Sequence, residues 1–162
     1  MGCGKNFDTG SCVEDILRDI VEAQNDIVEN CCDTSCEQSI SDLLGDTDTS
    51  NGLDTVPVIL YCKGDCKPFK GFGAERKIHN GHFGMTDIVA SFIFRVKKID
   101  DDGCAVLELL IADGETCGHD HLKDPTEQST KKLEATGICM TVDLDCFCHV
   151  TCLPAISVFN ND

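Results

Sequence analysis

A chain of 162 residues with 41% hydrophobic side chains is long enough for one domain with a sizeable core, which argues against wholesale disorder. Its 29 acidic against 13 basic residues leave a net charge of −16, a field that repels nucleic acid and anionic membrane and excludes both as partners. Thirteen cysteines place it at the edge of the disulfide-scaffold range, yet residues 1–30 show no signal-peptide pattern and no apolar run reaches bilayer length. A chain made in a reducing cytosol holds its thiols reduced at first, which leaves metal binding, redox work or delayed cross-linking. The odd count requires at least one cysteine that is free or bonded to another molecule.

Residues 1–10 read as a flexible arm with Cys3 near its tip. Ser11 to Glu14 fits a capping box, and Val13, Ile16, Leu17, Ile20, Ile27 and Val28 recur at helical spacing to about Asn30. This predicts an amphipathic helix over 11–30, whose stripe packs either on its own domain or on a neighbouring subunit. Cys31, Cys32 and Cys36 follow, and residues 37–54 read as loop. Within it Asp46 to Gly52 superficially resembles a calcium loop. Its glycine falls one position late and Pro57 stands near the expected closing Glu, so the match fails.

Val56 to Cys62 is a predicted strand, Cys62 to Cys66 a turn, and Phe69 to Phe72 a short return strand. Residues 73–90 read as a long connection. Phe92 to Ile99 and Cys104 to Ile111 predict a hairpin around Asp101-Asp102-Gly103, residues that tolerate positive φ. Residues 113–130, with Cys117, His119 and His121, read as loop, and Lys131 to Ala135 as a short strand.

From Ile138 to Leu153 the side chains alternate with period two, putting Met140, Val142, Leu144, Cys146, Cys148, Val150 and Cys152 on one parity. This predicts one half-buried strand with three thiols on its apolar side. Strands joined by polar loops, without alternating helices, indicate a mainly β fold: an antiparallel β-sandwich preceded by one amphipathic helix. The organisation is an arm (1–10), a helix (11–30), a Cys-containing loop (31–54) and a β-sandwich core (55–162).

The chemistry narrows quickly. No Cys-x2-Cys pair is present for structural zinc or for a redox helix start. A metal-binding protein using Cys62, Cys66 and His79 or His82 stays as the alternative. Cys148 and His149, adjacent on a strand, are expected on opposite faces and so unable to cooperate. No phosphate loop, Gly-x-Ser-x-Gly or His-Glu-x-x-His occurs, so no catalytic residue, cofactor or metal site is assigned. The strand thiols read either as small buried hydrophobes or as cross-linking groups.

Val142-Asp143-Leu144-Asp145-Cys146-Phe147-Cys148, followed by Cys152-Leu153, resembles the C-terminal signature of the spore coat protein Y/Z family, which includes exosporium protein Y. Phe92-Ile93-Phe94-Arg95-Val96 with Cys104-Ala105-Val106-Leu107 resembles its central signature. Thr55-Val56-Pro57, Met1-Gly2-Cys3-Gly4-Lys5 and Cys32-x3-Cys36 resemble further parts of it. The sequence departs from that pattern in the Cys31 doublet, in Asp33 and Ser35, in the additional Cys62 and Cys66, and in His149 where Ala is expected.

The resemblance implies a non-enzymatic structural protein of the spore surface (outer coat, crust or exosporium), made in the mother cell cytoplasm. Its implied partners are other spore coat proteins and copies of itself, as hexamers in a two-dimensional lattice toughened by interchain disulfides. On that reading Cys3, Cys12, Cys31, Cys32 and Cys36 are the candidate interchain thiols. Cys104, Cys139, Cys146, Cys148 and Cys152 serve the core or contacts within a ring. Cys62, Cys66 and Cys117 are unassigned.

Overall fold

The computed structural model describes residues 10–25, 32–45, 52–112 and 122–159. Expectations placed on the arm up to residue 9, on 26–31, on 46–51 and on 113–121 lie outside these residues, and with them Cys3, Cys31 and Cys117. The chain divides into two compact units, Met1–Asp33 and Thr34–Asp162.

In the first unit the capping box forms as its chemistry requires. The Glu14 amide donates to Ser11 Oγ at 3.3 Å, and helix α1 runs over Cys12–Asn25. A Glu14–Arg18 pair at 3.1 Å spans one turn. Val13, Ile16, Leu17, Ile20 and Val21 are exposed.

The second unit opens with a helix where a loop was expected. α2 spans Cys36–Leu44. Ser35 caps it, its Oγ accepting the Gln38 amide at 3.0 Å, and Gly45 closes it in the left-handed region at φ 76. Ile40, Leu43 and Leu44 supply an apolar stripe at helical spacing. The buried Ser39 hydroxyl donates to the Leu153 carbonyl at 2.7 Å, fixing this helix to the C-terminal segment.

Nine strands follow among the described residues: β1 (Val58–Cys62), β2 (Gly71–Gly73), β3 (Arg76–His79), β4 (His82–Met85), β5 (Val89–Ser91), β6 (Phe94–Ile99), β7 (Cys104–Ala112), β8 (Leu133–Asp143) and β9 (Phe147–Cys152). Five form one antiparallel sheet in the order β8-β7-β6-β1-β9, while β2 pairs with β5 and β3 with β4. The β6–β7 hairpin forms as expected, with Phe94 opposite Leu109 and Val96 opposite Leu107. The expected connection over 73–90 is instead the β3–β4 hairpin followed by β5. Asn80 (φ 51) and Gly81 (φ 78) make its turn, the pair of positive-φ positions that a two-residue hairpin needs.

Both faces of the main sheet are covered. On one, Val58, Leu60, Phe94, Ala105, Leu107, Leu109 and Ile138 pack together with Val89 of β5. On the other, Ile59, Ile93, Leu110 and Leu133 pack with Val158 from the C-terminal segment. Each fully buried Leu or Phe contributes about 1.5–3 kcal/mol relative to exposure. β2 lies so close on the first face that a Cβ at Gly73 would stand 2.3 Å from Ile138 Cγ2.

The long C-terminal strand is broken. Asp143 accepts the Asp145 amide at 2.9 Å, an Asx turn that competes with the ladder, and Leu144–Cys146 forms a single 3-10 turn. β8 and β9 lie on opposite edges of the five-stranded sheet yet are joined by these three residues. Flat, those edges would be about 19 Å apart. A 3-10 turn rises only about 2 Å per residue, so the sheet must curl until its edges approach at this corner. The turn crosses the end of the sheet, its Leu144 amide donating to Gly103 and its Cys146 carbonyl accepting from the Lys63 amide at 2.8 Å.

Candidate functional site

That crossing gathers sulfur. Cys62 ends β1, Cys66 lies in the turn after it, Cys104 begins β7 directly after the Gly103 turn, and Cys146 and Cys148 flank the junction into β9. All five are free thiols on the segments that this corner joins. Cys66, Cys146 and Cys148 are exposed, and Cys62 and Cys104 are partly so. The expectation that Cys146 and Cys148 stand on the buried side of one strand is therefore corrected. The 3-10 turn and a bulge shift the register, and a shift of one residue moves a side chain to the other face.

The bulge is at Cys148. Tyr61 pairs with His149 and Cys62 with Phe147, so Cys148 is the extra residue in β9. Its Sγ lies 3.5 Å from the Cys62 carbonyl, 3.6 Å from the Tyr61 carbonyl and 3.4 Å from His149 Nδ1. The strict alternation that separates Cys148 from His149 thus does not hold here. The imidazole is held by stacking on Tyr61, ring centroids 3.8 Å apart. Burial pushes the Cys62 thiol up from its ordinary range, and the nearby Asp65, Cys146 and Cys148 add to that by like charge.

The opposite end of β9 carries a bonded pair. Cys152 faces Val58 in the register and forms a disulfide with Cys36 of α2, across 116 residues of sequence. Cys36, expected among the interchain thiols, is thus bonded within its own chain. Cys152, expected in the core or a ring contact, is its partner. Cys12 is also disulfide-bonded. Cys32 is free and exposed, as is Cys139 on β8.

Cys139 lies opposite Glu108, a buried residue that sequence reading passed over. Glu108 Oε2 accepts the Gly137 amide at 2.8 Å and holds the irregular stretch of β8 against β7, with Lys97 at 3.9 Å from Oε1. An acidic residue in the otherwise apolar run of β7 was the signal. Among the described residues no group of three or more His, Cys, Asp or Glu is placed to hold a metal ion, and Cys62, Cys66, His79 and His82 are not brought together into one. No helix among them is long and apolar enough to cross a membrane.

A curled, two-sided β body with free thiols around one corner and a bonded pair at the far end of β9 defines a cysteine-rich β-protein. The family model described as Spore coat protein Z matches residues 1–155. Spore coat protein Z of Bacillus subtilis (strain 168) is 36% identical over 152 residues, which cover 90% of each chain. No solved structure matches the chain significantly. The chain belongs to the spore coat protein Z family.

Proposed function

We propose that this protein is a structural, non-enzymatic component of the spore surface, in the outer coat, crust or exosporium. Copies of it assemble, together with other spore coat proteins, into a two-dimensional hexagonal layer that interchain disulfides then fix. The observation that carries this reading is the free, outward-facing sulfur: Cys32, Cys66, Cys139, Cys146 and Cys148 are all exposed on a chain of this family.

A buried thiol behaves as a small hydrophobe, whereas an exposed one is available for exchange with a neighbouring chain. The β body is the tile, its subunits meeting head to tail so that the contacts close a ring. The arm, with Cys3, and helix α1, with its exposed apolar stripe, reach a neighbouring tile, and Cys31 and Cys32 lock that contact. The thiol-bearing end supplies further bonds once the mother cell cytoplasm no longer keeps sulfur reduced.

Negative-stain imaging of the purified protein, with and without reductant, tests the reading. Ordered sheets, together with a ladder of covalent oligomers on non-reducing electrophoresis, are the expected result. Dispersed single particles at every concentration and oxidation state would end it.

A further inference from the structure

The β3–β4 hairpin stands out from the rest of the second unit. Every residue of both strands is exposed, and among the described residues neither outer edge pairs with another strand. In its register Ile78 faces Phe83 and Arg76 faces Met85, so these four side chains share one surface. Ile78 is 61% exposed, Phe83 77% and Met85 70%. An isolated two-stranded hairpin is marginal in water, and a cross-strand Ile–Phe pair strengthens it without covering its apolar face. Arg, Met and aromatic side chains are also the types enriched where proteins meet.

Charge indicates what covers it. Between Arg76 and Met85 the chain carries Arg76, Lys77, His79 and His82 and no carboxylate, in a protein with 29 acidic and 13 basic residues. A basic, apolar ribbon seeks an acidic surface, and the remainder of the same chain is such a surface. Glu75 and Thr86 close the root of the hairpin by hydrogen bonds of 2.9 Å in both directions, so the ribbon is presented from a fixed base.

We infer that the β3–β4 hairpin is a docking element for a second copy of this chain: its Ile78–Phe83–Met85 face is buried against that copy, while Arg76, on the same face, meets the copy's acidic surface. The inference rests on the self-assembly proposed above and names the surface that carries it.

The test uses the full chain kept in reductant, so that only non-covalent association is read, by sedimentation velocity across a concentration series. Wild type is expected to associate, and less so as salt rises. Phe83→Ser and Arg76→Glu are each expected to weaken association at least tenfold. Circular dichroism should remain that of wild type, since these positions are exposed. Wild-type association that both variants retain undiminished would overturn the hairpin assignment and leave the assembly reading standing. A wild type that stays monomeric throughout would overturn both.

Discussion

The Sγ of Cys148 lies 3.4 Å from Nδ1 of His149, although the two are consecutive residues of a strand. The bulge at Cys148 turns its thiol toward its neighbour, and the stacked Tyr61 keeps the imidazole in place. A thiol open to solvent reacts faster than one that is shielded. Cys62, along the same sheet end, is only partly exposed. Burial first, and then Asp65, Cys146 and Cys148, hold its proton on.

Alkylation with iodoacetamide at about pH 8, followed by peptide mass spectrometry, should therefore label Cys148 before Cys62. A raised thiol pKa means that thiolate appears only at higher pH, so the Cys62 rate should keep climbing beyond the pH range in which an ordinary cysteine titrates. Asp65→Asn should speed Cys62. Equal rates at both sites across the pH range would contradict this account.

The Cys36–Cys152 disulfide closes a loop across 116 residues of sequence. Cross-links over long loops remove much of the freedom of the unfolded chain, and their loss costs about 2–4 kcal/mol. Cys152→Ser should lower the melting temperature by roughly 4–16 °C. Reductant should lower wild type by more than it lowers the variant, which has already lost this bond and keeps the bridge at Cys12, and differential scanning calorimetry can read the difference.

Asp54 ties the start of the β body to its end. Its carboxylate accepts from the Val158 amide at 3.0 Å, the Phe159 amide at 3.4 Å and Ser157 Oγ at 3.2 Å, and Thr55 Oγ1 donates to it at 2.8 Å. Burial pushes this carboxyl up, but the bonds from Val158, Thr55, Phe159 and Ser157 together outweigh that and leave it below the ordinary carboxylate value. A group whose folded pKa is depressed stabilises the fold above its unfolded pKa, and that contribution is lost as pH falls through the folded value. Asp54→Ala should cost about 2 kcal/mol at neutral pH and flatten the acid limb of the stability curve below about pH 4. Urea melts at neutral and acid pH measure both, and an unchanged acid limb would refute the assignment.

Gly73 has no room for a side chain, since a Cβ there would meet Ile138 Cγ2 at 2.3 Å. Gly73→Ala must push β2 off β8, at about 1–3 kcal/mol. Adding Ile138→Ala should make the Gly73 substitution nearly silent. In a double-mutant cycle by urea denaturation, strict additivity would show that the two positions do not touch.

The sequence made part of the main sheet legible because those strands carry a plain apolar pattern and the β6–β7 turn uses Asp-Asp-Gly. β1 and the β6–β7 hairpin needed nothing else. Helix α2 was hidden because nine residues hold little more than one apolar stripe, and its Ser35 cap follows so closely on Cys31 and Cys32 that the stretch reads as a helix end. The β3–β4 hairpin left a signal, Asn80-Gly81, masked by the glycines around it. The thiol-bearing end was the least legible part. Parity locates a side chain only while the register is unbroken, and both the Asp143 turn and the Cys148 bulge fall inside the most regular-looking run. Neither the curl that brings β8 and β9 to one corner nor the union of Cys36 with Cys152 follows from local pattern, because both depend on residues far apart in the chain.

The covalent tie between α2 and the end of β9 has a mechanical meaning. Tension applied at Thr34 and at Leu153 travels through one sulfur–sulfur bond, and every strand between them is shunted out of the load path. A load applied at those two points would leave the folded body between them in its shape. Pulled singly between those two points, the oxidised protein should yield almost no extension, and reduction should release about 400 Å of new contour, the reach of the freed stretch at full extension.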